Sequence, residues 1–156
     1  QLYRFLDEVI SSSHYSSSLF AIIYLDLDGF KAVNDTYGHD AGDEVLKQIS
    51  SRMLSQVRVG DLVARLSGDE FVLVIQPTDK IMITKLAERL LGLIQEPIMY
   101  KDRELQVGAS IGINLVENSE RDLDTILKAA DEAMYHAKKL GKGRFVFSLD
   151  NSVETL

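Results

Sequence analysis

Cysteine is absent from the 156 residues. That excludes a disulfide framework, thiolate zinc centres and a cysteine nucleophile, and it fits a reducing, cytoplasmic setting. Long hydrophobic runs are absent as well. The longest apolar stretches, such as Leu19 to Leu25, fall far short of a membrane span. No signal-peptide pattern is visible, so any membrane anchor of a parent protein would lie outside this stretch. Positive charge is scarce: 17 Lys and Arg stand against 24 Asp and Glu, a net charge of −7. Duplex nucleic acid calls for a basic field, and this balance argues against it as a partner. A small phosphorylated ligand stays open, because a metal ion can neutralise phosphate locally. Internal repeats are also missing.

What is present suits one domain with a sizeable core, at 46% hydrophobic and 26% charged residues. The chain starts at Gln1 without Met and ends in the polar run Asp150 to Leu156. It reads as a domain cut from a longer protein, with residues 1–148 as the domain and 149–156 as a tail or linker. The serine-rich stretch Ser11 to Ser18 reads as an exposed loop after a first helix over about residues 1–12.

Leu19 to Leu25 predicts a central strand buried on both faces and stopped by Asp28 and Gly29. A short helix is expected over Phe30 to Tyr37. Asp40 is expected to N-cap a longer one reaching about Val57, with Val45, Leu46, Ile49, Met53 and Leu54 at helical spacing. Leu62 to Leu66 and Phe71 to Ile75 predict a β-hairpin around Ser67-Gly68-Asp69-Glu70, ended by Pro77. Asp79 to Gln95 predicts a helix with Leu86, Leu90, Leu93 and Ile94 inside. A second hairpin near Tyr100 to Glu104 leads into a strand over Leu105 to Leu115. Leu123 to Lys139 predicts a helix closed by Gly141, and Arg144 to Phe147 a last short strand. Helices alternate with hairpins rather than with βαβ units. The expected class is therefore α+β, with a mixed or antiparallel sheet.

Three groups of residues carry chemistry. Asp26 and Asp28 share one face of a strand, where two carboxylates can hold Mg²⁺. Taken alone, Asp28 reads equally well as a helix cap. Asp26, directly after LFAIIYL, is costly unless paired or metal-bound. Asp69 and Glu70 alone read as turn residues, but Gly68 before them lets backbone N–H groups approach a phosphate or base. Lys31, Asn34 and Asp43 offer donors and acceptors that match a guanine edge, or simply form a solvated helix face. Lys138, Lys139 and Lys142 either complement a helix dipole or bind a triphosphate. His14, His39 and His136 show no metal-ligand spacing.

The ordered runs Asp26-Leu-Asp-Gly-Phe-Lys-Ala-Val-Asn-Asp-Thr-Tyr-Gly-His-Asp-Ala-Gly-Asp43, Arg58-Val-Gly-Asp-Leu-Val-Ala-Arg-Leu-Ser-Gly-Asp-Glu-Phe71, Ala109-Ser-Ile-Gly-Ile113 and Ala130-Asp-Glu-Ala-Met-Tyr-His-Ala-Lys138 resemble the GGDEF family, the diguanylate cyclase domains of bacteria. The resemblance covers nearly the whole chain. It implies a largely antiparallel, mixed sheet of about five strands flanked by helices, similar to nucleotidyl cyclases and polymerase palms. It also implies condensation of two GTP into cyclic di-GMP and two pyrophosphates across a homodimer, assisted by Mg²⁺ or Mn²⁺. Asp26, the Leu27 carbonyl, Asp69 and Glu70 would then serve the metal ions, with Glu70 also a candidate base. Asn34 and Asp43 would read guanine, and Lys31, Lys138 and Lys142 would hold phosphates beside the Ser67-Gly68 turn. Arg58, Asp61 and Arg89 would form a product-inhibition site for cyclic di-GMP.

The chain departs from the family pattern in three places. Ser67 replaces the first glycine of the signature and adds a Cβ that disfavours positive φ. Lys142 stands where Arg is usual, giving a point charge in place of a planar fork. The N-terminal segment DxLTGLxNR is missing. Ser67, Lys142 and the reading of the chain as cut from a longer protein give the alternative of a catalytically silent module that binds GTP or cyclic di-GMP and regulates a neighbour such as an EAL phosphodiesterase. An ATP-using cyclase is disfavoured, because an aspartate at 43 would repel adenine N1 but accept from guanine N1–H.

Overall fold

The computed structural model describes residues 2–12, 19–117 and 122–149. The elements run α1 (Leu2–Ser12), β1 (Leu19–Asp28), α2 (Phe30–Tyr37), α3 (His39–Leu54), β2 (Leu62–Ser67), β3 (Glu70–Thr78), α4 (Lys80–Gln95), β4 (Ile98–Tyr100), β5 (Arg103–Leu105), β6 (Gly108–Val116), α5 (Leu123–Lys139) and β7 (Phe145–Phe147). The main sheet has five strands in the order β2-β3-β1-β6-β7. Its pairs are antiparallel except β6 with β7, which is parallel. The expected α+β class with a mixed, largely antiparallel sheet is therefore the observed one.

Strand β1 sits at the centre because both of its faces are apolar. Ala21, Ile23, Leu25 and Leu27 join one core with Val45, Ile49, Leu86 and Leu90 of α3 and α4. Phe20 and Ile22 join the other, with Leu6 and Val9 of α1 and Ile126 and Ala130 of α5. The second core is thinner and depends on small residues. The buried stripe of α5 is Ile126, Ala130, Ala133, Met134 and Ala137, which lets the helix backbone lie directly on β6. A Cβ on Gly112 would come within 2.1 Å of the Ala130 carbonyl oxygen and 2.2 Å of the Met134 nitrogen. Only glycine fits there.

Several boundaries differ from those expected. The first strand continues through Asp28 rather than stopping before it, because Asp26, Leu27 and Asp28 pair with Ser110, Ala109 and Gly108 of β6. Pro77 does not end its strand. It lies inside β3 at the register shift opposite Phe20, past the last β2 partner, where a missing N–H costs no ladder bond. Asp40 is not the cap of α3; Gly38 holds that place, and Asp40 lies in the first turn facing the helix dipole. Helix α3 ends at Leu54, which is exposed. In α4 the buried positions are Ile83, Leu86, Ala87, Leu90 and Ile94, while Leu93 is half-buried. Leu105 belongs to the separate β4–β5 hairpin, so the next long strand starts at Gly108. The Ser13–Ser18 loop and the Asp150–Leu156 tail lie outside the described residues.

Gly112→Ala is expected to destabilise the domain by about 3 kcal/mol, because helix backbone rather than a movable side chain blocks the new methyl. Gly92→Ala, in an α4 position with open space around it, is expected to stabilise by about 0.5–1 kcal/mol. Urea unfolding of both variants checks the pair.

Candidate active site

The sheet register assembles the acidic centre. Asp26 lies directly opposite Glu70 on β3 and opposite Ser110 on β6. The β2–β3 turn is fastened to the same point: the Leu27 N–H donates to the Asp69 carbonyl at 3.0 Å. Asp26 and Glu70 of the sheet and Asp131, Tyr135 and Lys138 of α5 line one open cleft of about 550 Å³. Expected partners that are far apart in sequence thus meet at one place.

Asp26 is only 6% exposed. One carboxylate oxygen, Oδ2, is paired with the Lys138 ammonium. The other, Oδ1, is buried and has no hydrogen-bond partner. Burial raises the Asp26 pKa to about 6; the Lys138 ammonium opposes the rise and the Asp69 carboxylate adds to it. Burial works against the Lys138 charge, but the Asp26, Asp28 and Asp69 carboxylates outweigh it and push its pKa up. Burial, with Asp131 and Glu70 adding to it, lifts the nearby Tyr24 hydroxyl to about 12, so it stays protonated.

An orphaned, buried carboxylate oxygen is costly in a resting protein and is the kind of donor a hard cation takes. Glu70 opposite it and Asp69 nearby add further oxygens. Among the described residues no three His, Asp or Glu side chains form a ready-made metal cage. Mg²⁺ does not need one, because it keeps waters and accepts phosphate oxygens. The residues present fit that ion.

Asp28 does something other than cap a helix. Helix α2 begins after Gly29 without a side-chain cap. The Ser110 hydroxyl reaches both Asp28 oxygens at 2.9 Å, and the Gly143 N–H donates to Oδ2 at 3.2 Å. Asp28 therefore ties β1 to β6 and to the loop after α5. That loop turns as expected at Gly141: the Gly141 N–H reaches the Lys138 carbonyl and the Lys142 N–H the Ala137 carbonyl. Lys142 itself takes a left-handed φ of 63°. The structural role of Ser110 has one signal in the sequence, a hydroxyl inside an apolar strand, which needs a partner.

The other expected residues form two further places. Asn34, half-buried on α2, lies against Gly42 of α3, beside the exposed Asp43; Lys31 is exposed one turn earlier. Arg58, Asp61 and Arg89 border a separate loop. Asp61 Oδ2 accepts from the Arg58 N–H at 2.8 Å, and Asp61 Oδ1 accepts from the Gln76 N–H at 2.9 Å. Arg58 also donates to the Pro77 carbonyl at 2.7 Å, and Arg89 donates to Gln56 at 3.0 Å. Gln76 is six residues along β3 from Glu70, about 20 Å at strand rise, so this loop is not part of the cleft. The simple Arg58–Asp61 ion pair is present at 3.5 Å. His39 and His136 are exposed, and His14 lies outside the described residues.

The expected strain at Ser67 is absent. Ser67 is the last residue of β2, and the left-handed position falls on Gly68, at φ 37°. The serine hydroxyl approaches Glu70 at 3.4 Å, and Arg65 holds the Gly68 carbonyl at 2.9 Å.

The family described as diguanylate cyclase, GGDEF domain, matches residues 1–144. The chain belongs to the GGDEF family. This GGDEF domain is 40% identical over 142 residues to the bifunctional diguanylate cyclase/cyclic di-GMP phosphodiesterase MucR of Pseudomonas aeruginosa, covering 91% of the chain and 21% of MucR. It is 39% identical over 127 residues to the cyclic di-GMP phosphodiesterase NbdA of the same organism, covering 81% of the chain and 16% of NbdA. Among solved structures, the GGDEF domain of YfiN (TpbB) from P. aeruginosa superposes with a TM-score of 0.89 at 31% identity, covering 99% of this chain and 92% of that one. The domain thus spans about a fifth or less of the length of these two relatives. Among the described residues no helix is long and apolar enough to cross a membrane.

Because Ser67 is not in a left-handed conformation, Ser67→Gly is expected to relieve no strain. Stability in urea unfolding should stay within about 0.5 kcal/mol of the parent. A large gain would place strain at Ser67 after all.

Proposed function

We propose that this domain, over residues 1–148, is a diguanylate cyclase that condenses two GTP into cyclic di-GMP and two pyrophosphates across a homodimer. The observation that carries the reading is the orphaned, buried Oδ1 of Asp26, a residue that lies opposite Glu70 and lines the open cleft with it. Asp26, the Leu27 carbonyl, Asp69 and Glu70 are the groups that would hold Mg²⁺ or Mn²⁺. Such an ion would supply positive charge to the triphosphate and acidify the attacking 3′-hydroxyl.

The chain's own residues account for the rest. Asn34 and Asp43 would fix guanine, Asp43 accepting from N1–H. Lys31, Lys138 and Lys142 would neutralise the phosphates around the Ser67-Gly68 turn, and Lys138 would also balance the buried Asp26 charge. In each half of the reaction a 3′-oxygen forms a bond to the α-phosphorus of the other GTP. The bond from that phosphorus to pyrophosphate breaks, and the 3′-hydroxyl proton leaves with Glu70 as a candidate acceptor. One domain presents one nucleotide, so two must meet. Arg58, Asp61 and Arg89 would bind product, since Arg pairs bidentately with phosphate. The reaction is intracellular chemistry on GTP, consistent with a cytoplasmic domain linked to neighbours in a longer protein.

A second reading, a silent module that binds GTP or cyclic di-GMP and regulates an attached EAL phosphodiesterase, draws on the likeness to NbdA, which is named for phosphodiesterase activity alone.

Incubation with GTP and Mg²⁺ should yield cyclic di-GMP with more than first-order dependence on protein concentration. GTP binding without product would favour the silent module. Asp26→Asn should lower turnover at least about 100-fold, a loss of about 2.7 kcal/mol, while the protein stays folded. Arg58→Ala should weaken cyclic di-GMP binding at least about tenfold and leave initial turnover unchanged; intact product affinity would remove the inhibitory site.

A further inference from the structure

We infer that Gly42 is a positioning residue for the nucleotide base: its missing side chain is the space that the Asn34 amide occupies. This rests on the reading of Asn34 and Asp43 as guanine contacts.

Gly42 lies in the first turn of α3 and is buried. A Cβ built there would stand 1.8 Å from Asn34 Oδ1, 2.8 Å from its Cγ and 3.3 Å from its Nδ2. Those three atoms are the nearest neighbours, and all belong to the end of one side chain. Gly112 is different, because there the obstacle is helix backbone. At Gly42 a methyl group is accommodated by turning Asn34 away.

Backbone conformation does not demand glycine at this position. Gly42 is not among the positive-φ residues, and its N–H makes an ordinary helical bond to the Gly38 carbonyl at 3.2 Å. Within a helix, glycine is a poorer choice than alanine. Folding alone therefore gives no reason for it. The reason on the page is the Asn34 amide. The carbonyl of Asn34 is already committed to the Gly38 N–H at 2.9 Å, which fixes the backbone of α2 against the start of α3. With the backbone fixed, the open space over Gly42 lets the end of the Asn34 side chain lie against α3 at the residue that precedes Asp43. The amide supplies a donor and an acceptor, and Asp43 an acceptor carboxylate, the set a guanine edge requires.

The test uses 3′-deoxy-GTP, which cannot be condensed, and 3′-deoxy-ATP as the base control, both titrated by calorimetry with Mg²⁺. Gly42→Ala is expected to keep or raise the melting temperature. It is expected to weaken 3′-deoxy-GTP binding roughly tenfold or more, the scale of one lost hydrogen bond, with little change for 3′-deoxy-ATP. In the Asn34→Ala background the same substitution should add less than about twofold, because the group it displaces is already gone. Guanine affinity unchanged in Gly42→Ala but weakened in Asn34→Ala overturns the inference and leaves the guanine reading standing. Affinity unchanged in Asn34→Ala removes the guanine reading and the inference with it. Loss of folding in Gly42→Ala also overturns it, since the obstacle would then be more than a movable amide.

Discussion

A single buried carboxylate governs this domain. Asp26 sits where a strand apolar on both faces reaches the edge of the core, and it is 6% exposed. Water cannot fully solvate it there, so the protein must supply positive charge. Lys138 does so from the last turn of α5, and the remaining oxygen is left without a partner. Such a residue is a poor choice for stability and a good one for binding a cation beside phosphate. The placement of α5, the β2–β3 turn and the loop after α5 can all be understood as geometry around that carboxylate.

Close packing makes this geometry firm. Helix α5 reaches the sheet through alanines and lies on Gly112 with no side chain between them. That contact sets the height of Lys138 above Asp26. Beyond the helix end, Asp28 holds Ser110 and Gly143 together, so the loop bearing Lys142 is fixed to the same strand. The acidic end of β1 thus has two different uses. Asp26 faces the cleft charge, and Asp28 organises the surrounding backbone. On the other side of the sheet, the tight approach of Asn34 to Gly42 plays a similar part for the α2–α3 corner.

The loop with Arg58 and Asp61 stands apart, about 20 Å along β3 from the acidic centre. Asp61 is held by two backbone N–H groups, so the turn is rigid, while the Arg58 side chain remains partly exposed. A rigid turn presenting guanidinium is suited to an anion arriving from outside. It leaves the cleft free.

Much of this was legible in the amino-acid order. The apolar run at Leu19–Leu25, the turn at Gly141 and the acids at strand ends are local signals, and the structure keeps them. Several different short motifs in a fixed order indicate the family before any contact is known. What failed was also local in kind. Pro77 was read as a strand end because sequence does not show a register shift. Asp40 looks like a cap in the sequence, and Asp28 looks equally like a cap or a metal-holding acid, because a capping residue and a tied carboxylate look alike in one dimension. Strain was assigned to Ser67, although the tight turn puts its left-handed residue at Gly68. By itself the sequence determined which segments are helix or strand and which residues carry charge, because those follow from propensity, periodicity and side-chain chemistry along the chain. Only the tertiary structure decided that Asp26 has one oxygen paired and one orphaned, that Asp28 is structural, and that Asn34 occupies the space over Gly42. Those facts depend on which distant backbones meet, and burial and electrostatics act through space rather than along the chain.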